Sequence, residues 1–193
     1  MTKVLLTGFE PFGTATSNPS GEIVKQISGD NIVTAILPVA YAQSAEALLA
    51  LIEHHKPDVV ISLGQAEGRT QITPERIAIN LDDARLADNQ GVMRNEVPIV
   101  LGGPVAYEST LPVKEIVKAI NDAGVPAAVS LSAGAFLCNH VFYVAQDHFK
   151  ATKVRSGFVH VPLMDEQGPE FPGLPTMPLD QMVKAIRTML EVL

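Results

Sequence analysis

The sequence predicts an α/β fold with a largely parallel sheet, and three observations lead to that prediction. Short apolar runs alternate with longer amphipathic segments, in the order strand, helix, strand, helix. The chain has 193 residues, which fits one domain, so residues 1–193 are treated as a single unit. Apolar residues make up 47% of the chain and charged residues 18%, which suffices for one core and excludes a disordered chain.

The first half of the chain supplies four predicted strands and two predicted helices. Apolar or β-branched runs predict strands at 3–7, 32–38, 58–63 and 72–80. A helix over 19–28 follows a loop rich in Gly, Pro and Phe; Asn18 can cap this helix and Pro19 suits its first turn. A second helix over 43–55 has apolar residues at helical spacing and ends ahead of Pro57.

The second half continues the alternation. The same patterns predict helices at 112–123, 138–149 and 179–193, and strands at 127–131 and 157–161. Gly124 stands where the C-cap of the first of these helices belongs. Two irregular segments, 81–107 and 162–178, are long for a compact domain, and such loops are often functional.

Charge and cysteine content narrow the class of function. The chain has 14 Lys and Arg against 21 Asp and Glu, a net charge of −7, so it has no general attraction for nucleic acid or anionic membranes. One cysteine excludes an internal disulfide and a metal site built from several cysteines. No apolar run is long enough for a membrane span or a signal peptide. We therefore expect a cytoplasmic protein without nucleic-acid or membrane partners.

Cys138 is the candidate nucleophile. It follows a predicted strand and a turn of small residues, at or near the start of a predicted helix. A helix N-terminus stabilises an anion, so we expect the pKa of the thiol to fall from about 8.5 toward neutrality. The thiolate is the nucleophilic form, which suits covalent catalysis. The alternative is a buried cysteine that acts as a small hydrophobic residue.

A cysteine nucleophile needs a histidine base, and the chain offers five. His140 lies about 200° around the helix from the cysteine and points away, and His148 is too far along the same helix. His54 and His55 close a predicted helix, where a cation suits the dipole. His160 stands at the carboxyl end of a predicted strand, the edge where ligands bind in open α/β sheets. Its alternative role is a hydrogen-bonded core histidine.

Glu75 is the candidate carboxylate for orienting the base. Strand alternation places it on the face of two isoleucines, Ile77 and Ile79, so the carboxylate should be buried and must have a partner. A histidine base usually needs such an acceptor to fix its tautomer. The alternatives are an ion pair with a nearby arginine, Arg76 or Arg85, and a different orienting carboxylate, Asp82 or Asp83.

Short motifs stand in a fixed order along nearly the whole chain. They are GFEPFG at 8–13, NPS at 18–20, GQAEGR at 64–69, ERIAIN at 75–80, DAR at 83–85, SAG at 132–134, LCN at 137–139 and FVHVP at 158–162. Each motif alone is modest, but together they are specific. In sequence, order and length the chain resembles the pyroglutamyl peptidase I (pyrrolidone-carboxylate peptidase) family of cysteine peptidases.

The resemblance implies a fold and an activity. The fold would be a three-layer α/β/α sandwich around a mixed, largely parallel sheet. The activity would be removal of N-terminal pyroglutamate (5-oxoproline) from peptides through a thioester, by a triad matching Cys138, His160 and Glu75. The family needs no metal or organic cofactor, is cytosolic, and often forms homo-oligomers, so we expect a dimer or tetramer.

The resemblance also implies a substrate pocket. Phe9 and Phe12 match the aromatic residues that enclose the lactam ring, and the remaining matched positions are Asn18, Gln65, Arg85, Phe136 and Leu137. This agrees with the chemistry of the substrate, because a flat, neutral lactam needs apolar walls and a few hydrogen-bonding groups. Backbone groups beside Leu137 and Cys138 could bind the lactam and an oxyanion.

Three other functions remain open at the level of sequence. A nucleotide-binding module is disfavoured because Thr14-Ala15 follows the glycine loop where a phosphate loop needs Lys and Ser or Thr. The second is an inactive relative with a binding or structural role. The third is a hydrolase of other small amides or esters that uses the same three residues.

Overall fold

A computed structural model describes residues 2–193. Its strands are β1 Val4–Phe9, β2 Ile32–Leu37, β3 Val59–Gln65, β4 Thr73–Pro74, β5 Ile77–Ile79, β6 Ala106–Glu108, β7 Arg155–Val161, β8 Leu163–Met164 and β9 Thr176–Met177. Its α-helices are α1 Pro19–Gln26, α2 Tyr41–His55, α3 Val113–Asp122, α4 Leu137–Phe149 and α5 Leu179–Glu191. A short 3-10 helix spans Asp165–Gln167.

The central sheet has five strands in the order β2-β1-β3-β7-β4. Neighbouring strands are parallel except at one edge, where β4 runs antiparallel to β7. The carboxyl ends of β1, β3 and β7 therefore meet at one edge of the sheet. Phe9 and Gln65 end their strands there, and His160 lies one residue before the end of β7. Ligand sites of open α/β sheets form at this edge.

Helices cover both faces of the sheet, because each central strand is apolar on both. In β1, Leu6 packs into a core with α1, α3 and α5, whereas Leu5 packs into a second core with α2 and α4. In β7, Val159 belongs to the first core and Phe158 to the second. The architecture is the predicted three-layer α/β/α sandwich. His160 has the parity of Phe158 and so faces the layer that contains α4.

The predicted helices are present with small shifts at their ends. Asn18 caps α1, because its side-chain oxygen accepts a hydrogen bond from the Ser20 N–H at 3.1 Å. Gly124 follows the C-cap of α3 with φ +82°, a left-handed conformation that glycine adopts without strain. The helix predicted to begin at Cys138 begins one residue earlier.

The strand predicted at 127–131 was wrong, and the strand predicted at 72–80 was right only in part. The stretch 72–80 forms two short strands, β4 and β5, and 127–131 forms only isolated bridges, from Ala127 to Ile72 and from Ser130 to Glu75. The reason is that 72–76 divides its backbone hydrogen bonds between β7 and 127–130: the Glu75 N–H donates to Phe158, while Ser130 donates to Pro74. Pro74 has no N–H with which to continue either ladder.

The two long irregular segments lie where the sequence predicted them, with only short strands inside or beside them. Within residues 2–193, no helix has both the length and the apolar character needed to cross a bilayer.

Candidate active site

A cavity of about 400 Å³ opens at the carboxyl edge of β1, β3 and β7. It collects most of the side chains predicted from the sequence to form a site. These are Phe9, Phe12, Asn18, Gln65, Phe136, Leu137, Cys138 and His160. The cavity thus joins a loop after β1, the end of β3, the start of α4 and the end of β7.

Cys138 is the second residue of α4, and its sulfur lies directly against β3. A Cβ placed on Gly64 would stand only 2.7 Å from Cys138 Sγ. Gly64 pairs in register with His160 on β7. Residues paired in register project to the same face of a sheet, so the thiol and the imidazole lie on one face, beside each other. The missing side chain at 64 is what allows the sulfur to lie there.

His160 is oriented by Glu75. His160 Nδ1 lies 2.7 Å from Glu75 Oε1, and both side chains are buried. A carboxylate can only accept, so Nδ1 carries the proton and Nε2 of the neutral ring is free to accept one. His160 also lines the cavity.

Arg69 is a second partner of Glu75 and was not predicted from the sequence. Its Nη1 donates to Glu75 Oε1 at 2.8 Å and to the Thr73 hydroxyl, and its Nη2 donates to the Ser132 carbonyl at 3.0 Å. Glu75 thus contacts both an arginine and His160, but the arginine is Arg69 and not the expected Arg76 or Arg85. Burial of Glu75 does not follow from strand alternation, since Ile77 is only half-buried and lies beyond the break in the strand. Arg69 is the last residue of the motif GQAEGR, and this motif was the sequence feature that could have identified it as a site residue.

Burial dominates the electrostatics of the thiol and the imidazole. Burial, with the charge of Glu75 as a second cause, raises the pKa of Cys138 to about 12. This contradicts the expected fall toward neutrality, because loss of solvent outweighs the helix terminus and Arg69. Burial also lowers the pKa of His160, against the opposing effect of the hydrogen bond that His160 donates to Glu75. The resting pair is thus a neutral thiol beside a neutral imidazole.

Glu75 stays charged in spite of its surroundings. Burial alone would raise its pKa, but the hydrogen bond that His160 donates, together with the charge of Arg69, leaves that pKa below its usual value. Because the carboxylate is ionised at neutral pH, it can stabilise an imidazolium on His160 when one forms.

The other candidate bases and carboxylates are engaged elsewhere. His140 Nδ1 lies 2.9 Å from Asp82 Oδ2, and Arg94 donates to the same oxygen at 2.6 Å. His140 therefore points away from the cysteine, as expected from the helical spacing. Asp83 is exposed, as is His148 on α4. Neither Asp82 nor Asp83 lines the cavity.

Aromatic rings form the cavity walls. The Phe12 and Phe136 rings lie 6.3 Å apart, and Tyr41 packs edge-on against Phe136 at 5.7 Å. Phe9 is buried and packs against Phe158 at 6.4 Å. These rings give one end of the cavity an apolar lining suited to a small flat ligand.

Two predicted pocket residues differ from expectation. The side-chain oxygen of Asn18 accepts from the Ser20 N–H and hydroxyl, and its Nδ2 donates to the Glu10 carbonyl at 3.0 Å. Asn18 lines the cavity, but its main contacts fix the loop that carries Phe12. Arg85 lies exposed on the irregular segment and does not line the cavity. Arg69 is the arginine that does. Within residues 2–193, no three His, Cys, Asp or Glu side chains are grouped so as to hold a metal ion.

Comparisons with known proteins agree with one another. The model of the pyroglutamyl peptidase family matches residues 2–193. A pyrrolidone-carboxylate peptidase of Vibrio vulnificus is 48% identical over 98% of this chain and 92% of its own length. One from Bacillus thuringiensis is 45% identical over 100% and 93%.

Solved structures give the same result. The crystal structure of Bacillus amyloliquefaciens pyroglutamyl peptidase I superposes with a TM-score of 0.96 and 43% identity, over 100% of this chain and 96% of that one. A mutant pyrrolidone carboxyl peptidase of Pyrococcus furiosus gives 0.93 and 41%, over 98% and 97%. With a family model and relatives that span the whole described chain, this chain belongs to the pyroglutamyl peptidase family of hydrolases.

Proposed function

We propose that this enzyme removes N-terminal pyroglutamate from peptides by covalent catalysis, with Cys138 as nucleophile, His160 as acid and base, and Glu75 orienting His160. The observation that carries the proposal is the 2.7 Å contact between His160 Nδ1 and Glu75 Oε1. It leaves the other imidazole nitrogen for the thiol in the cavity that both residues line. Such an arrangement is the general pattern of an activated nucleophile.

The cavity suits the pyroglutamyl group. Phe9, Phe12 and Phe136 supply apolar walls for the faces of the ring, and Gln65 supplies an amide for its polar edge. Glu67 also lines the cavity but is exposed to solvent, so it is a weak partner for an ammonium group. A neutral lactam therefore loses less solvation free energy on entering the cavity than a charged amine would.

The proposed reaction is acyl transfer in two steps. His160 Nε2 takes the proton of the Cys138 thiol as the sulfur attacks the carbonyl carbon that joins pyroglutamate to the next residue. The tetrahedral intermediate collapses with loss of the peptide amine, which receives the proton from His160. Water, deprotonated by His160, then attacks the thioester, and free pyroglutamate leaves as the thiol is restored.

The start of α4 offers donors for the oxyanion. The first hydrogen bond of this helix runs from the His140 N–H to the Phe136 carbonyl at 3.0 Å. The N–H groups of Leu137 and Cys138 precede it, so the helix itself leaves them without acceptors. Backbone donors at this position stabilise developing negative charge without needing to reorganise. The mechanism uses no metal or organic cofactor.

We also propose that the chain is one cytoplasmic domain that assembles as a dimer or tetramer. The segment between β5 and β6 exposes large apolar side chains. Leu101 is 91% exposed, Val105 85% and Met93 62%. Exposed apolar side chains clustered on one segment are typical of a surface that another chain covers.

The test is hydrolysis of a pyroglutamyl fluorogenic amide by the purified protein. Cys138→Ser should abolish hydrolysis and leave the melting temperature within a few degrees, because an alcohol is far harder to ionise than a thiol. Iodoacetamide should inactivate in a one-to-one ratio with the chain's single cysteine. Substantial turnover in the alkylated protein would refute the cysteine mechanism. An inactive wild-type protein that is folded would instead indicate a binding role.

A further inference from the structure

Gln167 lies behind the cavity wall and touches Gln65. It ends the short 3-10 helix and is fully buried. Its Oε1 accepts from the Met164 N–H at 3.0 Å, and its Nε2 donates to the Ser17 carbonyl at 3.2 Å. Its Nε2 also donates to Gln65 Oε1 at 2.9 Å. All of its strong hydrogen-bonding groups are therefore in use.

These contacts fix which way both amides point. A backbone N–H can only donate and a carbonyl can only accept, so Met164 and Ser17 allow one orientation of the Gln167 amide. In that orientation the Gln167 N–H points at Gln65, so the side-chain oxygen of Gln65 must accept this hydrogen bond. The Nε2 of Gln65 is thereby turned away from Gln167, and it lies 3.5 Å from Glu67 Oε1.

The loop that contains Ser17, whose carbonyl accepts from Gln167, is itself held in place. Ser17 belongs to the loop that carries Phe12. The neighbouring Thr16 donates to Glu170 from its backbone N–H at 3.0 Å and from its hydroxyl at 2.7 Å. These contacts join the Phe12 loop to the segment that holds Gln167. The orientation of Gln65 thus depends on buried or paired groups rather than on solvent.

We propose that Gln167 is a positioning residue that makes Gln65 a hydrogen-bond donor toward the cavity, so that the site selects a ligand with a carbonyl oxygen at that point. The inference rests on the proposed function, in which that oxygen is the lactam carbonyl of the pyroglutamyl ring. Gln167 does not contact the substrate itself. It determines whether Gln65 presents a hydrogen-bond donor or an acceptor to the substrate.

Gln167→Glu tests this directly. The carboxylate still accepts from Met164 but can no longer donate to Gln65, so Gln65 turns its Nε2 toward residue 167 and its oxygen toward the cavity. The lactam oxygen then meets an acceptor. We expect kcat/KM for a pyroglutamyl amide to fall by about 10- to 100-fold, mainly through KM, since binding rather than the chemical step is changed. Gln181→Glu, the same change at an exposed position of α5, is the matched control and should leave KM unchanged.

A double-mutant cycle separates positioning from general damage. Gln65→Met removes the donor, so adding Gln167→Glu to it should reduce kcat/KM by less than about threefold more. Losses that multiply in full would overturn the inference, as would an unchanged KM in Gln167→Glu. Failure of the wild type on the pyroglutamyl amide would count against the proposed function instead.

A change in the substrate keeps the inference testable if Gln167→Glu does not fold. The amide of cyclopentanecarboxylic acid is neutral and keeps the five-membered ring but lacks the lactam carbonyl. Wild-type enzyme should prefer the pyroglutamyl amide by about 10²-fold or more in kcat/KM, because the Gln65 donor would otherwise be left unpaired. Comparable kcat/KM for the two amides would show that no hydrogen-bond donor binds the lactam carbonyl, and would overturn the inference.

Discussion

Gly64→Ala is the substitution whose effect the structure defines most sharply. The added Cβ would stand 2.7 Å from Cys138 Sγ and 2.7 Å from Phe158 Cζ. Non-bonded heavy atoms prefer separations of about 3.5–4.0 Å, so relief requires the sulfur, the ring or the strand to move by about 1 Å. Gly64 lies on β3, the central strand of the sheet, and is paired with His160, so its backbone has little freedom to move.

The size of the effect follows from that displacement. A misplacement of about 1 Å between reacting groups costs about 10²-fold in rate. Overpacking a core by one methyl group costs about 1–3 kcal/mol of stability. We therefore expect kcat/KM for a pyroglutamyl amide to fall by about 10²-fold, while the protein stays folded with a lower melting temperature.

The matched control is Gly157→Ala on β7. There the added Cβ would meet Leu111 Cγ at 2.7 Å and Ser109 Oγ at 2.7 Å, away from the sulfur. Both variants strain the sheet, but only the first displaces the thiol. Kinetics on the fluorogenic amide and thermal melting of both proteins make the comparison. If Gly64→Ala retains kcat/KM within threefold of Gly157→Ala, the sulfur does not act from the position described.

Three further predictions concern the same site. Glu75→Gln should lower kcat by about 10²-fold or more with little change in the inhibition constant of free pyroglutamate, because the amide cannot stabilise imidazolium; a lower melting temperature with normal kcat would indicate a purely structural ion pair with Arg69. The rate of Cys138 alkylation should rise about tenfold per pH unit up to pH 10, because burial raises the pKa of the thiol to about 12. A plateau near pH 8 would mean that the helix terminus lowers this pKa by more than burial raises it. The kcat/KM for a pyroglutamyl amide should exceed that for the prolyl amide by at least about 10³-fold, and Phe12→Ala should lower the former without raising the latter; comparable values in the wild type would contradict a pocket for a neutral ring.

The fold was predictable because its signals are local and repeated. Two-faced apolar strands and amphipathic helices in alternation specify a covered, parallel sheet, and Asn18 and Gly124 mark helix ends by their own chemistry. The strand at 127–131 was not predictable in this way. Whether its backbone bonds form a ladder depends on 72–76, more than 50 residues earlier, and on Pro74 within that stretch.

Which predicted residues line one cavity was predictable where position along an element decides proximity. His160 near the end of a strand and Cys138 at the start of a helix both line it because of the fold class. Arg69 and Gln167 were missed because their roles depend on contacts between loops, which have no periodicity to read. The predicted fall of the thiol pKa was wrong for a related reason. The helix terminus can be predicted from the sequence, whereas the depth of burial of the thiol cannot.

Burial and Arg69 together keep His160 neutral although a carboxylate lies beside it. Burial is the larger cause of the lowered pKa of His160, and the hydrogen bond to Glu75 and the charge of Glu75 oppose it. Arg69 donates to the same carboxylate oxygen that His160 contacts, and its charge lowers that pKa as well. A neutral imidazole can accept the thiol proton that the proposed mechanism assigns to it. In the proposed mechanism, once His160 holds that proton, Glu75 lies between two cations, and the attraction between the carboxylate and the imidazolium offsets part of the cost of separating charge in a dry site. The same arginine donates to the Ser132 carbonyl, so it ties the turn that leads to Cys138 to the carboxylate that contacts His160.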